Sequence, residues 1–234
     1  MSIKVIGMIG GMSWESSLEY YRLVNQMVKE KMGGLHSARC LMFSVDFAEI
    51  EILQHEGRWD EATEIMVDAG LRIEKGGADF LIICTNTMHL MADDVQKAIN
   101  IPLLHIADAA AQKIKDLGLK KVGLLGTRFT MEQDFYKGRL KDRHGIDVIV
   151  PSDEEMTVVH DVIYNQLCLG DIRDSSRQLY KKIIAAMEGR GAAGVVLGCT
   201  EIPLLVSQGD VDIPIIDTTA IHAEAAVNFA LSEV

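Results

Sequence analysis

Short unbroken apolar runs alternate along this chain with longer stretches in which apolar residues recur at helical spacing. Val5-Ile6-Gly7-Met8-Ile9, Phe80-Leu81-Ile82-Ile83-Cys84, Val122-Gly123-Leu124-Leu125 and Val195-Val196-Leu197 have no polar member. Such runs suit parallel strands buried on both faces. The first predicted strand, about 4–9, leads into Gly10-Gly11-Met12-Ser13. Ser13 is placed there to cap a helix that runs to about Met32 and stops at Gly33-Gly34. A strand over about 39–45 and a mixed, partly helical stretch over 46–56 follow. From Trp59 to Gly76 a helical face carries Ile65, Ala69, Leu71 and Ile73. Then come a strand over 80–84, a helix over 93–99, a short strand over 101–105, and a helix over 109–117 that Asp108 is predicted to cap and Gly118 to close. The pattern restarts with a strand over 121–127, a helix over 131–144 and a strand over 147–150. Helices over 154–169 and 175–188 precede the strand after Gly191, and a last helix begins near Ala220, predicted to pack back on the first half.

That restart is a repeat. Gly77 to Met91 and Gly191 to Leu205 align without a gap at an offset of 191 − 77 = 114. The alignment pairs Thr85 with Cys199 and Cys84 with Gly198, so the two cysteines do not correspond. Lys4 to Gly10 resembles Lys121 to Thr127, and Ile101 to Asp108 resembles Ile213 to Ala220. A unit of this length is the size of a domain rather than of a solenoid repeat. The expectation is α/β architecture in two pseudo-symmetric, doubly wound domains with parallel sheets: 1–107 with about 220–234, and 108–219. In such sheets ligands bind at the carboxyl ends of strands, so the expected active site is a cleft between the domains, with one copy of the repeated motif at each wall.

Composition narrows the partners. The chain has 234 residues, 48% of them hydrophobic, and a formal net charge of −11. The core is sizeable, and a globally acidic surface argues against nucleic acid or an anionic membrane. No apolar run reaches the roughly 18 residues of a membrane span. The N-terminus lacks a basic region and a small-residue cleavage site, so it reads as a strand and not as a signal peptide. Cys40, Cys84, Cys168 and Cys199 form no CxxC pair and read as free thiols of a cytoplasmic protein, with Cys40 and Cys168 as small buried hydrophobes. The histidines form no HxxxH or HExxH pattern, so no metal is expected. His89 and His222 are either cleft-lining or structural. The glycines after the first strand do not follow the dinucleotide-binding fingerprint.

The repeat carries the candidate chemistry. Thr85 and Cys199 close the two equivalent strands, an arrangement suited to removing a proton from one face of a carbon and delivering one to the other. Pro203 fits the first turn of a helix, which places Cys199 at a helix N-terminus. An ordinary cysteine pKa of about 8.5 is expected to fall there toward roughly 3.5–7.5. The backbone N–H groups of Asn86, Thr87 and Thr200 are expected to face a bound carboxylate.

Cys199-Thr200-Glu201 with Pro203-Leu204-Leu205, and Asn86-Thr87-Met88-His89, resemble the aspartate/glutamate racemase superfamily. Gly10-Gly11-Met12-Ser13-Trp14-Glu15-Ser16, Ser44-Val45-Asp46-Phe47, His105-Ile106-Ala107-Asp108 and Ile221-His222-Ala223-Glu224 resemble its amino-acid racemase branch. The resemblance runs nearly end to end. It implies a two-base racemase of amino acids, aspartate or glutamate foremost, with no cofactor, neither pyridoxal phosphate nor metal, acting on a small amino-acid substrate as a homodimer. It assigns catalysis to Cys199 and to the first-motif position. Substrate contact falls to Met12, Ser13, Asn86, Thr87, Thr200 and Glu201, and, by resemblance alone, to Gln54, near which aspartate-specific members carry Arg. The usual first motif is Cys-Asn-Thr, whereas here Thr85 precedes Asn86 and the cysteine lies one place earlier. Successive strand side chains point to opposite faces, so Thr85 takes the catalytic position and Cys84 is the alternative. Two other functions stay open: a related thiol lyase or isomerase of the arylmalonate decarboxylase or maleate isomerase type, and a non-catalytic small-ligand binder.

Overall fold

The computed structural model describes residues 3–232. In chain order the elements are β1 (Ile6–Gly10), α1 (Trp14–Met32), β2 (Cys40–Ser44), α2 (Phe47–His55), α3 (Trp59–Lys75), β3 (Phe80–Ile83), α4 (Ala92–Ala98) and α5 (Ile106–Asp116). They continue with β4 (Lys121–Gly126), α6 (Arg128–Glu132), α7 (Asp134–His144), β5 (Asp147–Ile149), α8 (Asp153–Asn165), α9 (Asp174–Gly189), β6 (Val195–Gly198), α10 (Ile202–Leu205), β7 (Ile215–Asp217) and α11 (Thr218–Leu231). The chain forms two compact units. One takes the chain up to Ile106 and again from His222; the other is Ala107–Ile221.

The first unit holds a parallel sheet of order β2-β1-β3. Alternation along the strands divides its side chains between two cores. Ile6, Met8, Phe80, Ile82 and Cys84 pack against Tyr20, Val24 and Val28 of α1 and Ala223, Ala226 and Val227 of α11. Ile9, Leu81 and Ile83 pack against Ala62, Met66, Ala69 and Ile73 of α3 and Val95 of α4. Burial on both faces is why these strands read as continuous apolar runs. The second unit repeats the plan in the order β5-β4-β6-β7, all parallel. Leu125, Val195 and Leu197 join a core with Val159, Tyr180, Ile184 and Met187. Val122, Leu124, Val196 and Ile216, of the opposite parity, are fully buried as well.

Several expectations are corrected. Residues 101–105 form only a single bridge, Leu81 with Leu103, because Pro102 accepts from Leu81 N–H but has no N–H to extend the ladder. Residues 46–56 hold a continuous helix, α2, capped by Asp46. The buried stripe of α3 is Ala62, Met66, Ala69, Gly70 and Ile73, and Leu71 is exposed. The helix expected over 131–144 is two helices, broken at Gln133, whose ψ of 153° is extended. Asp108 does not cap α5, which starts two residues earlier; it lies in the first turn and accepts from Arg139 (2.7 and 2.6 Å) and His144 (2.8 Å). Burial opposes its ionisation, but those donors outweigh it and hold Asp108 below the ordinary carboxylate range.

Strand pairing also revises the first-strand alignment. Gly7 pairs with Leu81 and Gly123 with Val195, so Leu81 and Val195 keep the offset of 195 − 81 = 114. The same pairs set the first strands at 123 − 7 = 116, one less than the Lys4–Lys121 match implies. Gly7 then corresponds to Gly123, and Gly10 to Gly126.

His222 is fully buried in the first unit. Its Nε2–H donates to Leu104 O (2.9 Å), leaving Nδ1 to accept from the Tyr20 hydroxyl (2.9 Å). Burial depresses its pKa from the ordinary 6.5 to about 4. Between those values the unfolded chain binds more protons than the folded one, so stability falls as pH drops from 6.5 toward 4, by about 3 kcal/mol in all. Denaturant titrations at pH 7 and pH 5 are expected to differ by about 2 kcal/mol from this residue, and the difference should shrink in His222→Gln. An equal pH dependence in that variant would contradict the assignment.

Candidate active site

In the first unit, β3 hands the chain to Cys84, whose N–H still bonds to Ile9 O (2.9 Å). Cys84 is 1% exposed, and burial with Cys40 nearby pushes its thiol far above the ordinary range. Thr85, the next residue, is partly exposed, and Asn86 and Thr87 after it are buried at the start of a short 3-10 turn, Thr87–Met91. His89 of that turn sends Nδ1 back to Thr85 O (2.7 Å).

The loop after β1 is fixed by Ser17. Its hydroxyl accepts from Gly11 N–H (2.7 Å) and donates to Ser13 O (3.0 Å), while Ser13 Oγ accepts from Ser16 N–H (3.3 Å) as the cap of α1. Gly11 has φ +94°, and a Cβ there would fall 2.1 Å from Val45 O, so only glycine lets this loop approach the end of β2. Of the expected substrate contacts, Met12 is buried in the α3-side core. Gln54 is buried too, its amide 3.0 Å from Met88 Sδ.

In the second unit, β6 ends at Gly198, and Cys199 and Thr200 follow, both partly exposed. Cys199 Sγ–H donates to Glu201 Oε2 (2.9 Å), and Thr200 Oγ1–H donates to the same oxygen (2.8 Å). Glu201 is buried. Pro203 stands in the first turn of α10, as expected. The expected fall in the Cys199 pKa is overturned. Burial first, and the Glu201 carboxylate second, raise the thiol well above its ordinary value. A helix of four residues has too few aligned peptides to offset a carboxylate in direct contact with the sulfur. The resting group is a thiol with a proton acceptor already attached, which can take the S–H proton when the sulfur must act as a base. This relation between Glu201 and Cys199 went unread in the sequence. The available signal was a carboxylate two residues after the thiol, at a strand-to-helix turn.

Thr85 and Cys199 thus follow equivalent strand ends in their own units, with Cys84 and Gly198 at the preceding equivalent position. Among the described residues, no group of three or more His, Cys, Asp or Glu side chains is arranged to hold a metal, and no helix is long and apolar enough to cross a membrane.

Comparison with known proteins gives consistent matches. The family model described as Asp/Glu/Hydantoin racemase matches residues 9–226. A Yersinia pestis structure described as a candidate Asp/Glu racemase is 52% identical, with 97% of this chain and 99% of that chain covered and a TM-score of 0.93. PH1733 from Pyrococcus horikoshii, described as an aspartate racemase homologue, is 36% identical, with 97% and 99% covered and a TM-score of 0.85. The broad specificity amino-acid racemase RacX of Bacillus subtilis is 28% identical over 181 residues, 74% of each chain.

Proposed function

Because the chain belongs to the Asp/Glu/hydantoin racemase family, we propose that it interconverts L- and D-aspartate or glutamate by a two-base 1,1-proton transfer, with Cys199 and Thr85 as the acid/base groups. The observation that carries the reading is the Cys199–Glu201 contact of 2.9 Å at the end of β6. In the forward step Glu201 takes the S–H proton while the sulfur takes the Cα proton. Thr85, or a water it orders, then gives a proton to the opposite face of the carbanion. Exchange with solvent resets both groups. Backbone N–H groups of Asn86, Thr87 and Thr200 hold the α-carboxylate, with Met12, Ser13 and Gln54 contacting the remainder of the substrate. This route needs neither pyridoxal phosphate nor metal, and the four free thiols suit a reducing cytoplasm.

The test is incubation with each enantiomer of aspartate and glutamate, followed by chiral chromatography. Formation of the opposite enantiomer of at least one is expected, and it should persist after dialysis against chelator and treatment with hydroxylamine. No inversion, with arylmalonate decarboxylation or maleate isomerisation instead, would move the protein to another thiol chemistry of this fold. Binding without turnover would make it a ligand binder.

We also propose that the protein is a homodimer through α1 and β2. The outer face of α1 exposes Trp14 (65%), Leu18 (58%) and Tyr21 (50%) beside Met42 of β2, a strand that among the described residues pairs on one side, with β1. An isologous two-fold contact would set this stripe on itself and pair the two edges antiparallel. These four side chains offer on the order of 400 Å² of apolar surface per copy, about half the per-partner area of a standard interface, before the edge backbone is counted. Sedimentation should show a dimer, and Leu18→Glu with Met42→Glu a folded monomer. A monomeric wild type, or a dimeric variant, would contradict the assignment.

A further inference from the structure

Three histidines, His89, His105 and His222, converge in the first unit. The His89 ring lies 4.6 Å from that of His105 and 5.6 Å from that of His222, centroid to centroid. His89 and His222 are almost fully buried, and their ring nitrogens engage backbone or a buried hydroxyl. The protonation pattern of His89 follows from its partners. Ile106 N–H can only donate, so Nε2 accepts (3.2 Å). Thr85 O can only accept, so Nδ1 carries the hydrogen (2.7 Å). His89 is therefore the neutral Nδ1–H tautomer, assigned from the network, and it ties the Thr85 peptide to the first residue of α5.

The location of that tie matters. The chain leaves the first unit after Ile106 and returns at His222. His222 Nε2–H holds Leu104 O, two residues before the amide that His89 holds. Both passages of the chain are thus anchored at residues 104–106, and the same node fixes the carbonyl of Thr85.

We infer that His89 is a positioning residue: it orients the Thr85 peptide against residues 104–106, so that the Thr85 hydroxyl is held where it delivers its proton. The inference rests on the proposed role of Thr85. His89 itself does not touch the reacting atoms. Its hydrogen bond stops the Thr85 carbonyl from swinging and carrying the side chain with it. A misplacement near 1 Å costs roughly 10²-fold in a proton-transfer step.

The readout is the ratio of exchange to inversion in D2O. When Cys199 forms the carbanion and the opposite donor is out of place, the carbanion takes its proton back from the exchanged Cys199 face. The recovered substrate then gains deuterium without inverting. His89→Leu is expected to lose roughly 10²-fold in inversion while still washing deuterium into the enantiomer that Cys199 deprotonates, the same signature as Thr85→Ala. His89→Asn keeps a donor near the Nδ1 position and is expected to recover most of the inversion. His89→Gln, whose amide reaches the Nε2 position, is not. If His89→Leu does not fold, the contrast between Asn and Gln decides. Unchanged inversion in His89→Leu, or exchange and inversion falling together in all three variants, would overturn the inference. A Thr85→Ala protein that inverts like wild type would instead remove the reading beneath it.

Discussion

Cys199→Ala is expected to abolish inversion, with a loss of at least 10²–10⁴-fold, the ordinary worth of a positioned acid/base group, while leaving the fold intact. Cys199 follows the last residue of β6, and its sulfur lies at the edge of the second unit's core, so truncation to alanine removes a single sulfur atom and leaves the strand and its apolar neighbours in place. Alkylation of the wild type should have the same effect. Glu201→Gln should lower kcat/KM equally for both enantiomers, by roughly 10²-fold or more. It keeps an oxygen within reach of the thiol but removes the carboxylate that receives the S–H proton in one direction and returns it in the other. Cys84→Ala, by contrast, should leave inversion near wild type, since Cys84 is enclosed between β3, α1 and α11. A folded Cys199→Ala protein that keeps most of its activity would remove Cys199 from the mechanism. Loss of activity in Cys84→Ala with a benign Thr85→Ala would transfer the second role to Cys84.

Thr85→Cys is expected to bring the two directions of turnover together. A threonine hydroxyl can give a proton to a carbanion, but its conjugate alkoxide is scarce at neutral pH, so the Thr85 face is a poor base. Cys199, with Glu201 at 2.9 Å as proton acceptor, is proposed to serve in both roles. One enantiomer, the one presenting its Cα hydrogen to Cys199, should therefore turn over faster. The enantiomers have equal free energy in solution, so kcat/KM is the same in both directions at one pH. The asymmetry must appear in kcat and KM separately, the slow enantiomer having the lower KM. A thiol at position 85 should raise the slow kcat and create a second alkylation site that affects both directions. Thr85→Ala should lose inversion by roughly 10²-fold or more. Equal kcat values in the wild type would contradict the account of Thr85 as a weak base.

The strands that carry the site were legible because they are buried on both faces, which leaves a signal of pure apolar runs at Phe80–Ile83 and Val195–Leu197. The correspondence of Thr85 with Cys199 was legible because the repeat crosses the whole strand and its following turn without a gap. Where one apolar residue had to be placed by helical phase alone, as at Leu71, the reading failed: an exposed leucine on the flank of α3 looks the same in sequence as a buried one. The one-residue slip between Lys4 and Lys121 has a similar cause, since matching lysines outweighed the glycines until strand pairing fixed Gly7 against Gly123. The state of Cys199 was misread because helix position was visible and a side-chain contact was not. Pro203 announced the turn, but that turn also folds Glu201 back onto the thiol, and the carboxylate outweighs so short a helix. The histidine node at residues 104–106 joins positions 118 residues apart, His222 and Leu104, and no local pattern reports such a contact.

The most direct test of two opposed acid/base groups is the early fate of the Cα hydrogen when each pure enantiomer is incubated with the wild type in D2O. Two separate groups predict that the newly formed enantiomer carries deuterium at Cα from the first turnovers, while recovered substrate remains largely protiated. A product that retains the original hydrogen, or inversion without uptake of solvent deuterium, would mean that one group carries the proton from face to face, and would contradict the pairing of Cys199 with Thr85.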